Sequence, residues 1–113
     1  MCTQTTLSII MDKVVQTVRD VLGDRLDKVI LYGSYARGDH DDDSDVDIMV
    51  LADISVEDAN RLDMDMTRFT SRLGLENDIV ISLFVKDCGT FNKYLHIEPF
   101  YQNVLNEGVI LSA

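Results

Sequence analysis

Leu7, Ile10, Met11, Val14, Val18, Val21 and Leu22 recur at spacings of three and four near the start of the chain. This is the apolar stripe of an amphipathic helix, and Gly23 is the residue type that ends one. Lys28 to Tyr32 is a short β-rich run. From Asp45 to Leu51 the period changes to two. Val46, Ile48 and Val50 fall on one face of that strand, and Asp45, Asp47 and Met49 on the other. Ser55 with Asp58 resembles a capping box. Behind it Val56, Ala59, Leu62, Met66, Phe69 and Leu73 form a second helical stripe, which Gly74 is expected to end. Asp78 to Val85 reads as a strand that begins at Asp78. Pro99 suits the first turn of a last helix closed by Gly108, and Val109 to Leu111 is expected to form a short edge strand. Residues 86–98 give no readable pattern.

The order is helix, strand, loop, strand, helix, strand, helix, with a terminal strand. It predicts an α/β (α+β) fold: one domain over residues 1–113, with a small mixed sheet and helices mainly on one face. A length of 113 residues suits one domain with one real core. Cys2 and Cys88 have no metal-ligand spacing and no disulfide framework, so two free thiols in a reducing cytoplasm are expected. No basic leader and no long apolar run is visible, which argues against secretion and against a membrane span.

Charge narrows the reading. Ten Lys and Arg stand against twenty Asp and Glu, a net −10. Affinity for nucleic acid comes from Lys and Arg releasing counterions, so direct nucleic-acid binding is disfavoured, and so is an anionic membrane surface. Six of the acids, Asp39, Asp41, Asp42, Asp43, Asp45 and Asp47, crowd into nine positions. Asp39, Asp41 and Asp43 mimic the opening of a calcium loop, but Ser44 and Val50 stand where its glycine and glutamate belong. Those loop aspartates read as solvated.

Asp45 and Asp47 differ because they sit inside an apolar β pattern. Two carboxylates about 5 Å apart repel by about 3 kcal/mol at an effective dielectric of 20. On one strand face they converge on divalent ions, and oxygen-only ligation points to magnesium or manganese. Asp78, expected at the start of the next strand, is the candidate third carboxylate. Gly33 permits close backbone approach to a phosphate, and the Ser34 hydroxyl and amide bind phosphate oxygens. Arg37 reads equally as a phosphate or partner contact and as an ion pair with neighbouring aspartates.

Gly33 and Ser34, ten intervening residues, then Asp45, Val46 and Asp47 resemble the signature of the DNA-polymerase-β-like nucleotidyltransferase superfamily. The run from Gly33 to Gly38, followed by Ser44 to Val50, resembles its minimal nucleotidyltransferase (MNT) subfamily. The stretch from Glu98 to Leu111 is similar to the end of such domains, and the likeness covers residues 27–111. The resemblance implies the polymerase-β-like palm fold. It also implies two magnesium ions on Asp45 and Asp47, with Asp78 completing the catalytic metal's shell and orienting or deprotonating the acceptor. Gly33 and Ser34 would hold the β- and γ-phosphates, with Arg37 beside them. ATP would be the substrate, and the acceptor a tyrosine of a HEPN-domain ribonuclease toxin that the protein inactivates as its antitoxin. Two alternatives stand beside this one: an inactive module that masks the toxin, and a small-molecule nucleotidyltransferase. The small-molecule enzymes typically add a helical substrate domain for which 113 residues leave no room.

Overall fold

The computed structural model describes residues 3–112, so the expectation for Cys2 falls outside the described residues. Helix α1 (Gln4–Leu22) begins where the Thr3 side chain accepts the Thr6 N–H. It ends at Gly23, whose φ of 56° turns the chain away while its N–H donates to the Arg19 carbonyl. Strand β1 (Leu26–Tyr32) follows, then the short helix α2 (Ser34–Arg37), which the sequence pattern did not suggest. After it come β2 (Val46–Ala52), α3 (Val56–Glu76) and β3 (Ile81–Asp87). Two short helices, α4 (Cys88–Tyr94) and α5 (Pro99–Glu107), lead to β4 (Val109–Ser112).

The sheet is mixed, with strand order β3-β2-β1-β4. Strand β1 runs antiparallel to both β2 and β4, while β3 returns parallel to β2 after the α3 crossover. Helices α1 and α3 cover one face. Their stripe residues Ile10, Val14, Val18, Met66 and Leu73 close over Val29, Leu31, Val46, Ile48 and Val50. Each fully buried aliphatic side chain there contributes about 1.5–3 kcal/mol. Val21 and Val56, at the ends of the predicted stripes, remain exposed.

The opposite face carries a smaller core, in which Ile30, Met49 and Leu51 lie beneath Phe91 of α4 and Val104 of α5. Of these, Phe91 falls in the stretch 86–98 whose pattern was unreadable. Asp87 initiates α4 by accepting the Thr90 N–H at 2.8 Å, and its 5% exposure shows how fully that cap is enclosed. Cys88 is a half-buried free thiol against this core. Burial first, then the Asp27 carboxylate, push its pKa up. Among the described residues no helix is long and apolar enough to cross a membrane.

Two expected boundaries move. Helix α3 does not stop at Gly74 but continues to Glu76, and β3 starts at Ile81 rather than Asp78. The cause is a reversal folded back onto the last helical turn: Ile79 N–H donates to the Gly74 carbonyl at 3.0 Å, and the Asn77 side chain donates to the Leu73 carbonyl at 2.8 Å. The glycine is needed for contact, since a Cβ at position 74 would run into the Ile79 carbonyl oxygen. In an open helix Gly→Ala stabilises by about 0.5–1 kcal/mol. Here overpacking reverses the sign, and Gly74→Ala is expected to lower stability by about 1–3 kcal/mol in urea denaturation. A gain in stability would contradict this role for the glycine.

Candidate active site

Antiparallel pairing sets the C-terminal end of β1 beside the N-terminal end of β2, with Tyr32 opposite Asp47. The alternation of β2 sends Val46, Ile48 and Val50 into the larger core and leaves Asp47 on the other face. Gly33, directly after β1, has a φ of 76°, in the left-handed region that favours glycine. A Cβ at this position would collide with the Asp47 carboxylate. The acid therefore rests against the Gly33 backbone, a contact open to no other residue type.

Tyr32, Gly33, Ser34, Arg37 and Asp47 line one cavity of about 360 Å³. Its far wall is α5, which contributes Phe100, Asn103, Val104 and Glu107. These four were missed in the sequence, yet they fall at i, i+3, i+4 and i+7, the spacing of a single helix face. The Phe100 ring stands edge-on to Tyr32, with centroids 5.6 Å apart at 83°. Arg37, the one cation in the cavity lining, is held by Asp39 and by Glu107, each at 3.2 Å. Both pairs are exposed, so each contributes little to stability. Their effect is to aim the guanidinium at the cavity from α2 while a hydrogen bond ties it to α5.

Asp47 is partly buried. Burial first, then the neighbouring Asp45, push its carboxyl above the usual carboxylate range, while Arg37 pulls it down. The Tyr32 hydroxyl is pushed up to about 12 by burial and by the Asp47 charge. An ionised acid held under such pressure is one whose charge a hard divalent cation would offset, and carboxylate oxygens are the donor type such a cation takes.

Asp45 and Asp78 are not in this cavity. They line a neighbouring depression of about 590 Å³ at the same end of the sheet, together with Asp42, Asp43 and Ser44. Asp45 immediately precedes β2 and is exposed. Asp78 is an exposed turn residue with a φ of 53°. Parallel pairing instead puts Ser82 opposite Asp47 on β3. Among the described residues no three His, Cys, Asp or Glu side chains gather closely enough to hold a metal ion. The other loop aspartates are exposed, and Asp41 shapes the turn: its carboxylate accepts the Asp43 N–H at 2.9 Å. His40 is exposed but stacks on the buried Tyr35, with centroids 4.1 Å apart.

A Gly-Ser turn and an Asp-x-Asp strand edge on a mixed sheet backed by two long helices define a nucleotidyltransferase. The family model described as "Nucleotidyltransferase domain" matches residues 11–111, and the chain belongs to that family. It is 37% identical over 87 residues to a protein of Methanocaldococcus jannaschii named as a protein adenylyltransferase, covering 77% of this chain and 79% of that one. A second protein of the same organism and name is 42% identical over 65 residues, covering 58% of this chain and 64% of its own length. Among solved structures, a toxin–antitoxin complex with AMP-PNP aligns with a TM-score of 0.62 and 24% identity, covering 91% of this chain and 73% of the other. A nucleotidyltransferase from Sulfolobus solfataricus aligns at 0.54 and 23%, covering 94% and 78%. These structural likenesses concern the fold.

The electrostatics of Asp47 give a pH signature. Its folded-state pKa lies above the unfolded value, so the penalty is absent at low pH and grows as pH rises through that window. Without divalent cations, Asp47→Asn is expected to melt higher than wild type at pH 7, the gain vanishing once pH falls below the usual carboxylate range. A melting temperature below wild type at pH 7 would contradict the carboxylate's position.

Proposed function

We propose that this protein transfers AMP from ATP to a hydroxyl on a partner protein, with magnesium as cofactor. The observation that carries the reading is the single cavity joining Gly33, Ser34 and Arg37 to Asp47. The Gly33 backbone and the Ser34 hydroxyl receive the β- and γ-phosphates, and Arg37 leaves Glu107 or Asp39 to neutralise them. Asp45 and Asp47 hold the metal, with manganese as a substitute. A divalent cation bound there neutralises charge on the α-phosphate and on the departing pyrophosphate. Asp47 fixes the α-phosphate position because its carboxylate rests against the Gly33 backbone.

Asp78 enters as the third acid from the depression that Asp45 also lines, outside the cavity of Asp47. The relatives named as protein adenylyltransferases support a protein acceptor, and the toxin–antitoxin neighbours support a toxin as that protein. The acceptor in this reading is a tyrosine of a HEPN-domain ribonuclease, which AMP transfer silences. Asp78's place outside the pair favours a second reading, in which the protein masks the toxin by binding alone.

The two readings separate in one assay. With magnesium, α-labelled ATP and the protein encoded beside it, wild type is expected to transfer label to that partner. Asp45→Asn and Asp47→Asn should each slow transfer by about 10²–10³-fold, as losing one preorganised charge-stabilising group does. Asp78→Asn should slow it by about tenfold or less, in keeping with an outer group. A tight complex with no label transferred would favour the masking module. No thermal shift with saturating magnesium and ATP would remove the nucleotide site altogether.

A further inference from the structure

Glu107 is an acid in an unfavourable place. The pairs of Lys28 with Asp27, Arg37 with Asp39 and Arg61 with Asp58 are local, each between residues at most three positions apart. The bond from Arg37 to Glu107 is of another kind, since it spans 70 positions and ties α2 to α5. Glu107 is the last residue of α5, where the negative end of the helix dipole disfavours a carboxylate. No basic residue in that last turn offsets it, and an exposed ion pair adds little stability of its own. The end of α5 is also held in place. A Cβ at Gly108 would meet the Ile30 side chain and the Val104 carbonyl oxygen, so the chain after Glu107 lies close against β1.

The consequence of this placement is electrostatic. Arg37 and Glu107 both line the Gly33–Asp47 cavity, and Arg37 is the one cation among its lining residues. Its Nε is bonded to Asp39 and its Nη1 to Glu107, each at 3.2 Å. With Asp47 on the same cavity, the group holds one positive charge against three negative. Guanidinium binds carboxylate and phosphate through the same donors in the same planar geometry. A phosphate that takes Nη1 therefore displaces Glu107. Asp39, two residues from Arg37 in the loop, can follow the arginine; Glu107, on a different and anchored element, is left behind.

We infer that Glu107 is a built-in competitor for the phosphate seat on Arg37. It holds the guanidinium at the cavity wall, lowers the affinity for every polyphosphate, and retakes the seat as pyrophosphate leaves. This rests on the proposed function and adds the residue that sets nucleotide affinity. The ligand class is a chain of two or more phosphates, because bonds to Gly33 and Ser34 must be made together with the one to Arg37 to displace a tethered carboxylate. A single inorganic phosphate cannot span these groups.

Isothermal titration of the full chain with inorganic pyrophosphate, inorganic tripolyphosphate and ATP, at fixed magnesium, tests this. Glu107→Gln keeps the side chain's size and removes its charge, and its melting curve reports that it is folded. It is expected to bind all three about tenfold more tightly than wild type. Loss of a negative charge alone would act with or without the arginine, so the same change is made on Arg37→Ala. There the gain is expected to shrink to about twofold or less. Unchanged or weakened binding in Glu107→Gln would overturn the inference, and so would a gain that survives Arg37→Ala undiminished. Titration needs no turnover. Tighter binding in Glu107→Gln by a chain that transfers no AMP would sink the proposed reaction and leave the role of Glu107 standing. Transfer by wild type with unchanged affinity in Glu107→Gln would do the reverse. No binding of any of the three by either protein would remove the inference together with the nucleotide site.

Discussion

The closeness of Gly33 to Asp47 is the constraint on which the site depends. A carboxylate seated on a glycine backbone requires the chain to leave β1 at a positive φ and to return along β2 in antiparallel register. That register aligns Tyr32, Asp47 and Ser82 across the sheet, and α2 brings Ser34 and Arg37 onto the same cavity. The cost falls on Asp47, whose ionised form is disfavoured by burial and by Asp45. On the proposed function, a cation bound at that point would offset this cost.

The scaffold divides the labour between its faces. On one, α1 and α3 bury a continuous aliphatic core that holds β1 and β2 rigid. On the other, α4 and α5 cover only part of the sheet, burying Ile30, Met49 and Leu51 and leaving openings at either side of Phe100. Full burial of the second face would have stabilised the fold further and closed the site. The exposed rings of Phe84, Phe100 and Tyr94 are where that cover stops.

Much of this was legible in the chain. The long helices showed themselves by apolar stripes, β2 by its alternation, and α5 by Pro99 and Gly108, all because local pattern and tertiary burial agree there. The Gly-Ser and Asp-x-Asp positions were legible because they combine a backbone need with a charge need. Asp78 was misplaced for a definite reason: Gly74 looked like a helix stop, but it serves a close contact with Ile79, which moves the turn and the start of β3 onward. Helix α4 was invisible because its cap, Asp87, reads as one more acid in an acidic chain. The contact of Arg37 with Glu107 could not be foreseen, since its partners stand 70 positions apart and meet only in the fold.

On the proposed function, Asp45 and Asp47 hold a divalent cation beside a nucleotide whose phosphates lie on Gly33 and Ser34. A crystal grown with manganese and a non-hydrolysable ATP analogue, measured at the manganese edge, tests it most directly. Anomalous density touching the Asp47 carboxylate, with the phosphate chain running toward Ser34 and Arg37, is the expected result. Nucleotide bound elsewhere, or manganese density away from Asp47, would contradict it.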